Sequence, residues 1–294
     1  MAGKRETVNH IAFVFSGGMA RGAVQLAFFN EILQKIGYER VRVISSSSIG
    51  ALNGYAVGVN NIPALLDFYG NLDCDNIKQF MKKIRNDLFN DVFNLIEGAD
   101  IAPLNFPVYV TGTRLIGLTC DYYCLNKMKR IDIKGAINAS MSFPIVNGPV
   151  NFNGKLYVDG GTTDNIPVLP VTYYDPDMVI ILHNYSKYYP PADLYEKLPN
   201  SIIIDIDETL ALPTHIGTFS LGKADFKDML TIGKAEGKKF ADWIFEDFSF
   251  DGVKKRTHEY IKAHLDERAA RNPELSMSSL DIINSLYLLK EEIV

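Results

Sequence analysis

Short apolar runs alternate with helical patterns in the first part of the chain, and this alternation limits the fold more than any other feature. The run Ile11–Phe15 is continuous and apolar, as in strands that are buried on both faces. Apolar residues then recur three and four positions apart over residues 24–36, which predicts a helix that ends at Gly37. Residues 41–44 predict a second strand, and residues 49–59 predict a second helix. A strand–helix–strand–helix series is typical of a mostly parallel sheet with helices on its faces.

Later segments continue the pattern of an α/β protein. A long amphipathic helix is predicted at residues 77–96, and from about Phe226 onward the pattern is helical only. Asn272, Pro273 and Glu274 supply an N-cap, a first-turn proline and an acidic first-turn residue for the last helix. Further strands are predicted at residues 108–113, 117–124, 155–158, 178–182 and 201–206.

Composition describes a soluble globular protein of one or two domains. The 294 residues are 47% apolar and carry a net charge of −5, whereas nucleic-acid-binding proteins normally have a basic surplus. The apolar runs are too short to cross a bilayer, and the first one is shorter than a signal-peptide core. The chain has three cysteines, an odd number without zinc-type spacing, at Cys74, Cys120 and Cys124. We therefore expect no disulfide framework, and we expect the protein in a reducing compartment. We predict a cytoplasmic protein.

The first of three segments suited to chemistry is a glycine-rich loop between the first predicted strand and helix. Its sequence is Ser16-Gly17-Gly18-Met19-Ala20-Arg21-Gly22. Consecutive glycines let the backbone approach a ligand and direct its N–H groups into an anion site at a helix N-terminus. The spacing differs from the dinucleotide motif G-x-G-x-x-G, and Ala23 and Val24 stand where a P-loop has Lys and Ser or Thr. A tight turn without a ligand is the alternative.

The second segment, Ser46-Ser47-Ser48-Ile49-Gly50, follows the second predicted strand and begins the second predicted helix. It fits the nucleophile-elbow pattern G-x-S-x-G at Ser48 and Gly50, with Ser46 in place of the first glycine. Small residues are needed there because strand and helix pass close together. The N-terminus of a helix favours developing negative charge, which suits a nucleophile at Ser48. The alternative is a serine N-cap in a polar turn.

The third segment has an aspartate, Asp159, at the end of a predicted strand and before Gly160 and Gly161. Ligands bind outside the carboxyl ends of strands in open α/β sheets, and a serine nucleophile needs a base. Asp159 is the best-placed candidate for that base, and an ordinary Asp-Gly turn is the alternative. His183 follows the predicted strand at 178–182, but we expect it to be structural, like the other scattered histidines.

The order of these three segments resembles that of the patatin-like phospholipases. That family has a glycine-rich oxyanion loop that ends in Arg/Lys-Gly, a G-x-S-x-G serine and a downstream Asp-Gly-Gly or Asp-Gly-Ala. The resemblance extends from about Ile11 to Trp243. The residues that carry it are Gly17-Gly18-Met19-Ala20-Arg21-Gly22, Ser46-Ser47-Ser48-Ile49-Gly50 with Ala51-Leu52-Asn53, Ala139-Ser140-Met141-Ser142-Phe143-Pro144, Asp159-Gly160-Gly161 and Gly217-Thr218-Phe219.

The resemblance implies a three-layer α/β/α fold with C-terminal helices. It implies a patatin-like domain at residues 1–250, a helical extension at 251–294, and a serine lipid acyl hydrolase of the phospholipase A, lysophospholipase or carboxylesterase type. In that reaction Ser48 attacks the ester carbonyl while Asp159 takes its proton. No metal or cofactor is implied. N–H groups of Gly17, Gly18 and Met19 would hold the oxyanion, and Arg21, Gly22, Gly50, Gly160 and Gly161 would support the motifs.

Two departures from the family pattern leave an alternative open. Met19 stands where many members have a third glycine, and Ser46 replaces the elbow glycine. The alternative is a non-catalytic lipid- or partner-binding protein with the same fold, and a nucleotide-binding protein is a third interpretation. The expected partner is a lipid or acyl ester. Peripheral membrane contact would use the basic faces of helices at 77–96 and about 253–271, and the last helix would close the core or form a dimer contact.

Overall fold

One sheet forms the centre of the protein in a computed structural model that describes residues 5–74, 79, 104–143, 148–185 and 188–271. In these ranges the sheet has eight strands. The strands are β1 (Ile11–Phe15), β2 (Val41–Ser46), β3 (Val108–Arg114), β4 (Cys120–Cys124), β5 (Val150–Phe152), β6 (Lys155–Asp159), β7 (Met178–His183) and β8 (Ile202–Asp207).

The sheet is mostly parallel, as predicted. The order is β5-β6-β3-β2-β1-β7-β8, with β4 paired to β3 off this path. Strands β3, β2, β1, β7 and β8 run parallel to one another, whereas β4 and β6 are antiparallel to β3, and β5 is antiparallel to β6. Strands β1, β7 and β8 are buried along their whole length, which agrees with the apolar sequences of β1 and of residues 178–182 in β7, whereas β8 also buries Asp205 and Asp207.

Helices cover both faces of the sheet and complete the three predicted layers. One apolar cluster lies under α1, α2, α3, α4, α6 and the start of α7, and the second lies under α5 and a 3-10 turn at Leu169–Tyr173. The second layer is therefore much thinner than the first within the described residues. The helices are α1 (Gly22–Ile36), α2 (Ile49–Gly58), α3 (Ile62–Asn71), α4 (Arg130–Ser140), α5 (Ala192–Lys197), α6 (Lys223–Ile244) and α7 (Phe250–Arg271).

The strand predicted at residues 117–124 begins three residues later than expected, at Cys120. Gly117 and Leu118 have φ angles of 90° and 46°, so they form a turn and cannot continue an extended strand. The sequence patterns predict neither the short strand β5 nor the helices α3, α4 and α5. The helix predicted at 77–96 and the last helix, with its cap at Asn272, lie outside the described residues.

The start of α7 is joined to the beginning of the chain. The N–H of Val8 donates to the Phe248 carbonyl at 2.8 Å, and the N–H of Phe250 donates to the Glu6 carbonyl at 2.9 Å. Val253 of α7 is buried in the larger apolar cluster. No helix in the described ranges is both long enough and apolar enough to span a membrane, and none of the three cysteines is in a disulfide.

Candidate active site

Strands β2 and β6 end facing each other along one edge of β3. Ser46 at the end of β2 lies opposite Val110, and Asp159 at the end of β6 lies opposite Gly112. Strand β4 pairs with β3 over both stretches and so occupies the other edge. Because β6 runs antiparallel to β2, the carboxyl ends of the two strands come together, and the turn after β2 reaches Asp159.

The side chains of Ser48 and Asp159 form the closest polar contact of the site. Ser48 Oγ donates to Asp159 Oδ2 at 2.6 Å, and the N–H of Gly161 donates to the other carboxylate oxygen at 2.8 Å. Both side chains are buried. Burial raises the pKa of Asp159 to about 6, against the opposing effects of the Ser48 and Gly161 hydrogen bonds. The carboxylate is therefore a stronger base than an exposed aspartate and is still ionised at neutral pH.

Ser48 lies on a sharp turn between β2 and α2. Its φ of 53° and ψ of −127° are rare for a residue with a side chain, and such strain is typical of functional sites. A Cβ atom on Gly50 would lie 2.7 Å from the carbonyl oxygens of both Phe15 and Ser16. Only glycine fits at this point because α2 starts directly against the end of β1.

Ser46, which replaces the usual elbow glycine, is accommodated by a glycine on α2. Its hydroxyl donates to the Tyr109 carbonyl at 2.8 Å. A Cβ atom on Gly54 would lie 3.2 Å from Ser46 Oγ, so the absence of a side chain at Gly54 leaves room for the serine. The departure at Ser46 is therefore compatible with the elbow geometry.

The end of α4 fixes the backbones of both Ser48 and Asp159. Ser140 Oγ accepts a hydrogen bond from the Ser48 N–H at 3.0 Å, and the Ser142 carbonyl accepts one from the Asp159 N–H at 2.8 Å. On β3, Thr113 Oγ1 donates to the Asp159 carbonyl at 2.8 Å. In the sequence, only the family-like segment around Ser140 pointed to this support.

The glycine-rich loop lies against Ser48. A Cβ atom on Gly17 would lie 2.7 Å from Ser48 Cβ. The Gly17 N–H donates to Asn165 Oδ1 at 3.2 Å and to the Asn165 carbonyl at 3.3 Å, and the Gly17 carbonyl accepts from Asn184 Nδ2 at 3.0 Å. The carbonyl and the following N–H of one peptide point in opposite directions. Asn165 Nδ2 also donates to the Gly17 carbonyl, at the longer distance of 3.4 Å, so the two amides together set the direction of the Gly18 N–H, with Asn184 as the closer donor.

Positions 18 and 19 would each suit glycine, but for different reasons. Gly18 has an extended φ of −179°, but a Cβ atom there would lie 1.7 Å from Asn184 Nδ2. Gly18 therefore leaves space for Asn184. Met19 has a φ of 53°, in the left-handed region that favours glycine. Among the described residues, neither the Gly18 N–H nor the Met19 N–H donates a hydrogen bond.

Arg21 connects the glycine-rich loop to two other loops. Its guanidinium donates to the carbonyl of Asn184 and to that of Ile216, both at 3.4 Å. The N–H of Ala20 donates to the Thr218 carbonyl at 3.3 Å, which brings the family-like segment 217–219 to the same place. These hydrogen bonds of Arg21 therefore connect loops of the protein to one another.

The remaining motif glycines are sites of close approach. A Cβ atom on Gly22 would lie 2.6 Å from Ile49 Cγ1, and one on Gly160 would lie 2.2 Å from Thr111 Oγ1. One on Gly161 would lie 2.5 Å from Asn165 Oδ1. All the predicted site residues are therefore brought to one end of the sheet.

A buried polar network, which the sequence did not indicate, lies beneath the glycine-rich loop. Gln25 Nε2 donates to the Ser16 carbonyl and to Glu208 Oε1, each at 3.2 Å. Asn53 Nδ2 donates to Gln25 Oε1 at 3.1 Å, and Tyr69 donates to Asn53 Oδ1 at 3.0 Å. Burial raises the pKa of Glu208 well above its usual range. The network fixes the start of the loop from below.

His183 is buried away from the Ser48–Asp159 contact. Its Nδ1 accepts from the Tyr185 N–H, and its Nε2 lies 3.3 Å from Asp205 Oδ2. Both ring nitrogens thus have partners outside the site, as expected for a structural histidine. In the described part of the chain, no group of three or more His, Cys, Asp or Glu side chains is arranged to hold a metal ion.

Comparison with known proteins identifies the family. The sequence model of the patatin-like phospholipases matches residues 13–172. A probable lipid hydrolase, 463L of Invertebrate iridescent virus 6, is 23% identical over 256 residues, which cover 76% of this chain and 86% of the viral protein. This chain belongs to the patatin-like phospholipase family.

Two solved structures are similar to part of this chain. VipD from Legionella pneumophila has a TM-score of 0.44 at 12% identity, over 78% of this chain and 68% of VipD. The type III effector ExoU, known from Pseudomonas aeruginosa, has a TM-score of 0.42 at 12% identity, over 86% of this chain and 54% of ExoU. This chain spans about half the length of ExoU, and its fold assignment rests on the sheet and helices described above.

Replacing Asp159 by asparagine removes a buried charge and keeps the shape of the side chain. Because burial raises the pKa from 3.8 to about 6, ionisation opposes folding, and this part of the stability is lost as the pH rises from about 4 to about 6. We expect Asp159→Asn to be more stable than wild type by up to roughly 3 kcal/mol at neutral pH, and equally stable below about pH 4. Urea unfolding at both pH values measures this difference. A variant that is less stable at neutral pH would contradict the raised pKa.

Proposed function

We propose that this protein is a serine lipid acyl hydrolase of the phospholipase A, lysophospholipase or carboxylesterase type. The observation that carries the proposal is the 2.6 Å hydrogen bond from Ser48 Oγ to the buried carboxylate of Asp159, beside the N–H groups of the glycine-rich loop. A nucleophile, a base and an oxyanion site are the parts that ester hydrolysis through an acyl-enzyme requires.

In the proposed reaction Ser48 Oγ attacks the ester carbonyl carbon while Asp159 takes the hydroxyl proton. The tetrahedral intermediate collapses, the bond to the leaving alcohol breaks, and Asp159 returns the proton to that alcohol. A water molecule then attacks the acyl-enzyme with Asp159 again as the base, which releases the fatty acid and restores Ser48. The pKa of about 6 suits both proton transfers, because the carboxylate is ionised at neutral pH and basic enough to accept a proton.

The proposed oxyanion donors are the N–H groups of Gly18 and Met19. Both have no acceptor among the described residues, whereas the Gly17 N–H already donates to Asn165. Gly17 would join them as a donor only after that bond opens, and its present contribution is close packing against Ser48. Loss of one such donor typically costs about 2.7–4 kcal/mol of transition-state stabilisation.

The proposed catalytic parts lie within residues 1–250, and we propose that residues 251–294 form a helical extension of that unit.

The alternative is a non-catalytic lipid- or partner-binding protein, which the departures from the family pattern at Ser46 and Met19 suggest. Gly54 makes room for Ser46. The strained φ of 53° at Met19 is the observation that still favours the alternative.

Removing the Ser48 hydroxyl tests the proposal. We expect Ser48→Ala to lower kcat/KM for p-nitrophenyl esters and phospholipids by a factor of about 10³ or more, because the nucleophile is lost. The matched control is Ser45→Ala, since Ser45 is buried in β2, three residues before Ser48, and its hydroxyl has no hydrogen-bond partner in the described structure. Hydrolysis that survives in Ser48→Ala, at equal purity and folding, would show that another residue carries the reaction.

Asn184 offers a test of the oxyanion site that leaves Ser48 and Asp159 intact. Leucine has a similar size but cannot donate to the Gly17 carbonyl, so Asn184→Leu should leave only the longer hydrogen bond from Asn165 Nδ2, at 3.4 Å, to direct the Gly18 N–H. We expect kcat to fall by about tenfold or more while KM changes little, because the interaction is made with the transition state. Steady-state kinetics with a soluble ester, together with thermal unfolding, measures both effects. An unchanged kcat in a folded variant contradicts the role of Asn184.

A further inference from the structure

The turn between β3 and β4 exposes apolar side chains to solvent. Ile116 and Leu118 are 84% and 62% exposed, and Leu115 is also exposed. Leu156 at the start of β6 is exposed beside them, since its carbonyl accepts from the Leu115 N–H at 2.9 Å. We name these four residues the hairpin tip. Several large aliphatic side chains exposed together mark a contact surface more often than single ones do.

The backbone conformation of the turn is unfavourable for leucine at position 118. Leu118 has a φ of 46°, a conformation in which glycine or asparagine is usual, and it follows Gly117 with a φ of 90°. Leu118 belongs to neither apolar cluster of the fold. A leucine at this position therefore contributes little to folding, which points to a role outside the folded core.

The hairpin tip extends from the edge of the sheet at which Ser48 lies. Strand β3 is level with the end of β2 at Val110, and Ile116 follows six residues later. Four of those residues, from Val110 to the end of β3 at Arg114, are extended, and at about 3.3 Å per residue they place the start of the turn about 13 Å further along the strand direction. The tip therefore lies further along the direction of β3 than the end of β2, which Ser48 follows by two residues.

Exposed aromatic residues lie across the site from the tip. Tyr185 is exposed and follows Asn184, whose amide contacts Gly17. Phe219 is exposed and follows Thr218, whose carbonyl contacts the glycine-rich loop. Apolar side chains therefore flank the site from the β3 side and from the β7–β8 side.

The charges near the tip permit an approach to a phospholipid surface. Residues 115–119 and 151–156 contain no acidic residue, and Lys155 in the second range is exposed. The predicted basic face of α7 differs, because its Arg256 pairs with Asp247 at 3.1 Å and its Lys255 lies 3.9 Å from Glu259. The apolar tip is therefore the better candidate for contact with lipid.

We propose that the hairpin tip inserts into the surface of a phospholipid bilayer, with Tyr185 and Phe219 at the opposite rim, and so holds the entrance to Ser48 against the lipid. The proposal rests on the proposed lipid acyl hydrolase function for its choice of occupant. Apolar insertion predicts binding that persists at high salt, whereas binding through basic residues weakens as salt rises.

Vesicle binding tests the proposal without reference to catalysis. The full chain carrying Ser48→Ala is sedimented with vesicles of phosphatidylcholine and a minor fraction of phosphatidylserine, at low and high salt. We expect binding at both salt concentrations, and a loss of about tenfold in partitioning for Ile116→Ser, because a large aliphatic side chain no longer enters the lipid. The matched control is Ile131→Ser, since Ile131 is 74% exposed at the start of α4, beyond the other end of β4, and should bind like the parent.

A second variant separates membrane contact from folding. Leu118→Gly relieves the unfavourable φ, so we expect it to unfold at the same or a higher temperature and yet to bind vesicles more weakly. In protein that retains Ser48, Ile116→Ser should lower phospholipid hydrolysis in vesicles severalfold. The same substitution should leave hydrolysis of a soluble p-nitrophenyl ester unchanged.

Three results would overturn the proposal. The first is parent protein that does not sediment with vesicles, and the second is tip variants that bind as well as the parent. The third is a tip-dependent dimer in solution without vesicle binding, which would assign the surface to a second copy of the chain. If the Ser48 protein hydrolyses no ester at all, the proposed function fails, but the binding experiment with the Ser48→Ala chain still decides the role of the tip.

Discussion

The hydrogen bond between Ser48 Oγ and Asp159 Oδ2 depends on how two strands share one edge of β3. Strand β2 pairs with the first part of that edge and β6 with the last part, so their carboxyl ends meet near Thr111. The end of α4 then binds both backbones, through Ser140 Oγ and the Ser142 carbonyl. The distance of 2.6 Å between the two side chains is therefore set by backbone pairing in the sheet and needs no flexible loop.

The site concentrates features that oppose folding. A carboxylate is buried beside a serine, and both Ser48 and Met19 have positive φ angles. The stability needed to retain them comes from the surrounding sheet, whose strands β1, β7 and β8 are fully buried. Such a division, with strain in the site and regular packing around it, is what catalysis by preorganised groups requires.

Local patterns made much of the fold and several site residues predictable. Strand β1 was predicted with its observed bounds, because a continuous apolar run followed by glycines has few other interpretations. The meeting of Ser48 with Asp159 was expected from a rule about the carboxyl ends of parallel strands, yet β6 is antiparallel to β3, and their contact follows from the pairing along β3. Asn165 and Asn184 escaped prediction because single asparagines have no recognisable spacing, and only the folded loop brings their amides to Gly17.

The most direct test of the central claim is labelling with a fluorophosphonate probe, followed by mass spectrometry of the modified peptide. An activated Ser48 should carry the label, and the labelling rate should rise with pH around a midpoint of about 6 as Asp159 ionises. Ser48→Ala should take up no label, and Asp159→Asn should be labelled far more slowly. Wild-type protein that stays unlabelled, or label found on a residue other than Ser48, would contradict the Ser48–Asp159 dyad.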